Sequence, residues 1–148
     1  MILLDSQDPP FDRIGGEIGP EQQEWLRAHI DGDSPPALVF CHHPLDEQSV
    51  DGHWYFSAHP THAFVHNRAP VRRILEQSGR VRAVFSGHLH WTRATTVNGI
   101  PYLPIGSLVS AGFTNGRASG TFASVTVEGT TIDVQVAGLV PDSFRLAG

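Results

Sequence analysis

The sequence predicts an α/β fold, on three observations. Two apolar runs of strand length, 37–41 and 81–85, each follow a segment with helical periodicity. A shorter apolar run, 2–4, precedes the first of those segments. The last third of the chain instead alternates apolar and polar residues around tight-turn signals. Strand, helix, strand, helix, strand, then antiparallel strands make an α/β layer closed by a mixed sheet.

Each element has its own local reasons. Residues 2–4 are apolar and stop at Asp5, which reads as a strand. Residues 6–19, rich in Pro, Gly and Asp, read as loop. A helix is predicted over 20–30: Pro20 suits a first turn, Glu21 and Glu24 suit its dipole, and Trp25, Leu26 and Ile30 form an apolar stripe. Gly32 is its expected stop. The uninterrupted run 37–41 predicts a strand buried on both faces. Residues 45–66 form a long irregular segment, and such segments are usually functional or mobile. The spacing of Val71, Ile74 and Leu75 predicts a helix over 69–77, capped by Asn67 and stopped by Gly79. Residues 81–85 are the next buried strand. Residues 92–97 and 100–103 flank Asn98-Gly99, and 121–127 and 130–137 surround Glu128-Gly129, so both pairs read as hairpins. Residues 113–118 read as loop.

Composition narrows the function. The 148 residues suit one domain with a real core. No apolar run is long enough to cross a bilayer, and no leader pattern opens the chain, so a soluble, cytoplasmic protein with no membrane partner is expected. The net charge of −5 argues against binding a nucleic-acid polymer. All ten basic residues are arginine, which excludes a P-loop lysine, a Schiff base and a Ser-Lys dyad. The single cysteine, Cys41, lies within an apolar strand and reads as a buried, inert thiol.

The nine histidines matter through their grouping. FCHHP (40–44) and SGHLH (86–90) each follow a buried strand. The carboxyl ends of central strands are where open α/β sheets place ligands. If the second motif stays extended, His88 and His90 point to the same side, and His42 can add a third nitrogen from the neighbouring strand end.

These two motifs resemble the C-terminal motifs of the calcineurin-like metallophosphoesterases. LLDS (3–6), GEIGPEQQEWLRAHI (16–30) and NGIPYLPIGS (98–107) are similar to that family's cyclic-nucleotide-phosphodiesterase-like branch, so the resemblance runs from Leu3 to Ser107. It implies a helix-flanked β-sandwich with a two-metal site. His42 and His88 would share one ion and His90 would serve the other, the ions being manganese, iron or zinc. His43 would orient a ligand or reach toward substrate. The implied reaction is metal-assisted in-line hydrolysis of a phosphoester, here a small phosphodiester such as a cyclic nucleotide.

The family pattern also includes an Asp-x-His, a Gly-Asp and an Asn-His upstream of these motifs, and the residues before His42 do not carry them in that order. The chain is therefore expected to be a single, partial domain over 1–148, the C-terminal half of an αββα sandwich. Such a half leaves an edge and an apolar face bare, so a homo-oligomer or a complementing N-terminal half is expected. Asp51-Gly52-His53 and Gly32-Asp33 match letters of the upstream pattern but read as loop and turn chemistry. His59, His62 and His66 have helical spacing, but Pro60 interrupts them, so they read as a polar lid. Three readings remain open: a phosphoesterase, a non-catalytic metal-binding or structural remnant of the same fold, and a truncated gene product.

Overall fold

The computed structural model describes residues 1–8 and 14–147. The central layer is a five-stranded sheet of β1 (Ile2–Leu4), β4 (Ala37–Cys41), β5 (Val81–Ser86), β7 (Ile100–Pro104) and β6 (Thr95–Val97), in that spatial order. The first four run parallel, and β6 turns back antiparallel on β7. That hairpin turns on Asn98 and Gly99, at φ 49° and 83°, the two positive values a tight hairpin turn requires.

Two helices cover one face of this sheet. In α1 (Pro20–His29) the stripe delivers Leu26 and the adjoining Ile30 to the core; Trp25 stays largely exposed. In α2 (Arg68–Ser78) Val71, Ile74 and Leu75 point inward, and Gly79 closes the helix in the left-handed conformation. They meet Val39, Cys41, Val84 and Tyr102 in one core.

The opposite face carries a second sheet of β8 (Phe122–Glu128), β9 (Thr131–Ala137) and β10 (Asp142–Ala147), in the order β10-β9-β8. Ile132, Val134 and Val136 of β9 pack on Ala83, Phe85 and Leu103. The layers are thus helix, mixed sheet and antiparallel sheet. Among the described residues no helix is long and apolar enough to cross a membrane.

Several local expectations shift. Strand β4 is not equally buried on its two faces. Ala37, Val39 and Cys41 are buried under the helices, while Leu38 and Phe40 are only half-buried under the smaller sheet. The expected loop 6–19 contains a short parallel pair, β2 (Gln7–Asp8) and β3 (Glu17–Ile18), with residues 9–13 outside the described set. Asn67 occupies the N-cap position without capping. Its side chain instead brackets Ile18, accepting from the backbone N–H at 3.1 Å and donating to the carbonyl at 2.7 Å. Strand β10 carries no sequence signal that predicts it. It completes the second sheet with Leu146 turned inward.

Candidate metal centre

The parallel register of β4 and β5 decides where the two motifs meet. Cys41 pairs with Ser86, so the chain leaves both strands at one level, into His42 and into Gly87-His88. The Gly87 N–H donates to the His42 carbonyl at 3.0 Å and ties the exits together. His42, His43 and His88 each bring a ring nitrogen to within 4.8 Å of the others. Their rings contact at 4.2–5.2 Å between centroids.

The second motif does not stay extended. His88 and His90 adopt φ 61° and 56°, left-handed values that L-residues with bulky side chains rarely take. Leu89 between them is fully buried. Such strain costs on the order of 1–3 kcal/mol per residue and persists where the surroundings enforce it. Gly87 is not the residue that needs a glycine's freedom here. A Cβ there would lie 3.6 Å from the His42 ring, an ordinary contact.

As a result, His88 joins His42 and His43, and His90 stands exposed outside that group of three. It lines a cavity together with His88 and acts electrostatically on His42 and His88.

Hydrogen bonding separates the roles of the three clustered imidazoles. His43 Nε2 lies 3.0 Å from the Ile14 carbonyl, which can only accept, so Nε2 carries the proton. Its Nδ1 then accepts from the Ser6 hydroxyl at 2.8 Å, and Ser6 Oγ in turn accepts the His43 backbone N–H at 3.2 Å. Both His43 nitrogens are committed. Gly16 packs against this ring so closely that a Cβ there would lie 2.8 Å from it. His88 Nε2 donates to the His62 carbonyl at 2.9 Å, leaving its Nδ1 lone pair free. His42 is exposed, with its ring edge-on to His88.

Burial holds these rings neutral. It lowers the pKa of His43 and of His88 to about 4, with neighbouring imidazoles adding to the effect. It lowers that of His42 as well, with His90 second. Neutral imidazole is the form that binds a metal. Cys41 is buried, and burial raises its thiol to about 11, which keeps it unreactive at neutral pH.

The segment 45–66 is less a lid than a packed wall. Phe56, Ala63 and Phe64 form a third core with Leu89. His53 is buried, its Nε2 donates to the Leu89 carbonyl at 2.7 Å, and its Nδ1 accepts the backbone N–H groups of Tyr55 and Phe56 at 3.0 Å each. It clamps the wall to the turn that carries His88 and His90. Reading Asp51-Gly52-His53 as loop chemistry hides this, because the partners are a backbone carbonyl 36 residues away and two local amides. Asp46 also escapes sequence reasoning. Fully buried, it accepts from Thr95 Oγ1 at 2.6 Å and Gln48 Nε2 at 2.7 Å, and Gln48 accepts from Trp91 Nε1 at 3.0 Å.

The remaining candidates fall away from the group. His59 and His62 stack at 5.3 Å, and His62 Nδ1 contacts the Tyr55 hydroxyl. His66 lies over Gly15. Among the described residues no metal-ligating group contains any of the three. Gly32-Asp33 is an exposed turn organised by Asp31.

Comparison with solved structures places this architecture. A dimetal phosphatase from Danio rerio superposes with TM-score 0.69 at 18% identity, over 89% of this chain. The chain has a metallophosphoesterase-like fold. It spans only 39% of that phosphatase's length. Vps29 from Chaetomium thermophilum matches over 99% of this chain and 97% of its own, at 12% identity and TM-score 0.42. A single mutant of Vps29 from Entamoeba histolytica matches over 99% and 98%, at 13% identity and TM-score 0.38. Neither overlap is tight enough to carry an argument. No family model matches the sequence, and no curated protein matches it.

Proposed function

We propose that this chain is the metal-binding portion of a metal-dependent phosphoesterase of the calcineurin-like family, and that His42, His88 and His90 are its ligands. The observation that carries this reading is the convergence of His42 and His88, whose Nδ1 keeps its lone pair, at the ends of two adjacent parallel strands. His90, on the same turn but outside that group, is the third ligand in this proposal. His43 is a positioning residue, since both of its ring nitrogens are committed elsewhere.

The clustered imidazoles fit one ion. All three ligands are imidazoles, which suit zinc or iron better than manganese. Two divalent ions side by side repel strongly without an anion between them, and the clustered group is imidazole throughout. When bound, the ion would polarise a phosphoryl oxygen and lower the pKa of a coordinated water. The chain's own contribution is to hold His88 neutral, fix its ring through the His62 carbonyl, and clamp the turn through His53.

A complete two-ion centre would take carboxylates from elsewhere, and one face is open to receive them. A groove of about 460 Å³ runs over Leu3, Leu4, Phe40, Phe85, Ile105 and Val125, and reaches His42. Among the described residues, the strands beside it, β1 and β8, each stand at the edge of their sheet. Either a second copy or a complementing N-terminal half would fill it by strand addition. The alternative reading is a metal-binding remnant without turnover, and the all-imidazole group favours it for the isolated chain.

The test is divalent-metal-dependent hydrolysis of bis(p-nitrophenyl) phosphate by the purified chain, with His88→Ala alongside. Turnover lost in the variant supports a phosphoesterase. A folded chain that binds metal without turnover supports the remnant or a missing complement. A folded chain that binds no metal removes both.

A further inference from the structure

The wall beside the imidazole group has a feature that metal binding does not use. A cavity of about 220 Å³ opens against His88 and His90. Its other walls are Ile14, Trp54, Tyr55 and Phe56, with the buried His53 behind them. Phe56 leans on the His88 ring at 5.0 Å, and Trp54 stacks on His53 at 5.6 Å and 29°. Trp54 is nonetheless 58% exposed, a large apolar surface that the fold leaves uncovered. Gly112 packs closely on it: a Cβ there would lie 2.4 Å from the indole nitrogen.

Tyr55 and His53 have their polar atoms turned to other work. The Tyr55 hydroxyl is engaged by His62 Nδ1 at 3.0 Å, and both His53 nitrogens serve backbone groups. What faces the cavity is mostly apolar. The volume is below that of pockets built for drug-sized ligands and suits a single ring. Aromatic walls favour an aromatic guest through offset and edge-on contacts.

We infer that this cavity takes an aryl group, one ring in size and selected by shape and stacking, carried by the phosphoester that the neighbouring imidazoles hold. The inference rests on the proposed function, because His88 and His90 line both places. It names the substrate class as aryl phosphoesters. A nucleobase would bring several donors and acceptors to a mostly apolar lining, at a cost in affinity.

The experiment is calorimetric titration of the zinc-loaded full chain with phenylphosphonate, methylphosphonate and uridine 5′-monophosphate, for the wild type and Trp54→Ala. Zinc affinity is measured separately on both. Phenylphosphonate is expected to bind at least about fivefold more tightly than methylphosphonate, from ring contacts alone. That preference is expected to vanish in Trp54→Ala while zinc affinity stays unchanged, Trp54 being largely exposed and outside the ligand set. Equal affinity for the two phosphonates overturns the inference and leaves the metal reading standing. So does a preference that survives Trp54→Ala. Tighter binding of the nucleotide replaces the aryl class and overturns it too. A wild-type chain that binds no zinc overturns the proposed function, and this inference with it.

Discussion

The sharpest consequence of the site's construction concerns a residue that touches no metal. His53 makes three hydrogen bonds, one to the Leu89 carbonyl and two from the amides of Tyr55 and Phe56, the Leu89 and Phe56 bonds being buried. Each is worth about 1 kcal/mol net, and leaving the buried partners unpaired adds to the loss. His53→Ala also opens a cavity among Phe56, Trp91 and Phe113, whose rings lie 4.5–5.1 Å away. The sum is about 3–5 kcal/mol, a large part of a small domain's stability. Two milder variants divide the effect. Asparagine places an acceptor near the Nδ1 position and keeps the two local amides, but it cannot reach Leu89. Glutamine reaches toward Leu89 and gives up the amides. Urea unfolding should rank both between wild type and alanine. Zinc titration should separate them: His53→Asn is expected to weaken zinc about tenfold, as losses of groups that orient metal ligands do, while His53→Gln stays near wild type. If folded His53→Asn binds zinc like the wild type, the clamp on Leu89 does not position His88 and His90, and that reasoning is wrong.

Other consequences follow from the same geometry. His43 is held to about 4 by burial first and His42 second, against 6.5 in the unfolded chain. Below 6.5 the unfolded state therefore binds the extra proton, so stability should be flat above that pH and fall as pH drops from about 6.5 toward about 4. The ceiling for this one group is about 3 kcal/mol, and thermal melts across that range should show a shallower decline in His43→Asn. Gly16→Ala would set a Cβ 2.8 Å from the His43 ring and should destabilise by about 1–3 kcal/mol; an unchanged melting temperature would mean the ring can move aside. The open groove between β1 and β8 should make the chain self-associate at micromolar concentration, and Val125→Lys should reduce this; a clean wild-type monomer in sedimentation would count against it.

Legibility in the sequence tracks the range of the forces involved. Helix α2 is readable almost to its ends, because Val71, Ile74, Leu75 and Gly79 act within one or two turns. The Asn98-Gly99 hairpin is readable for the same reason. Strand β10 is not, because it exists through pairing with β9 and its own residues are mostly exposed. The position of Asn67 before a helix is legible and its partner is not, since Ile18 is 49 positions away. At the site, the meeting of His42 with His88 is legible from two apolar strands ending in histidine motifs. The left-handed turn at His88 and His90 is not: it depends on burying Leu89 against a segment that has little regular structure to predict. The separate roles of His42 and His43 follow only from the family resemblance, and the residues alone do not give them; the Ile14 carbonyl and Ser6 hydroxyl show physically why the His43 ring has no lone pair to offer.

The central claim is that these imidazoles hold a divalent ion. Its most direct test is zinc binding to the purified chain by calorimetry, with metal content measured after dialysis, for the wild type and for His42→Ala, His43→Asn, His88→Ala and His90→Ala. One zinc per chain is expected, abolished by His88→Ala, strongly weakened by His42→Ala and His90→Ala, and retained with reduced affinity in His43→Asn. Zinc binding that survives His88→Ala in folded protein, or no zinc in the wild type, would contradict the account.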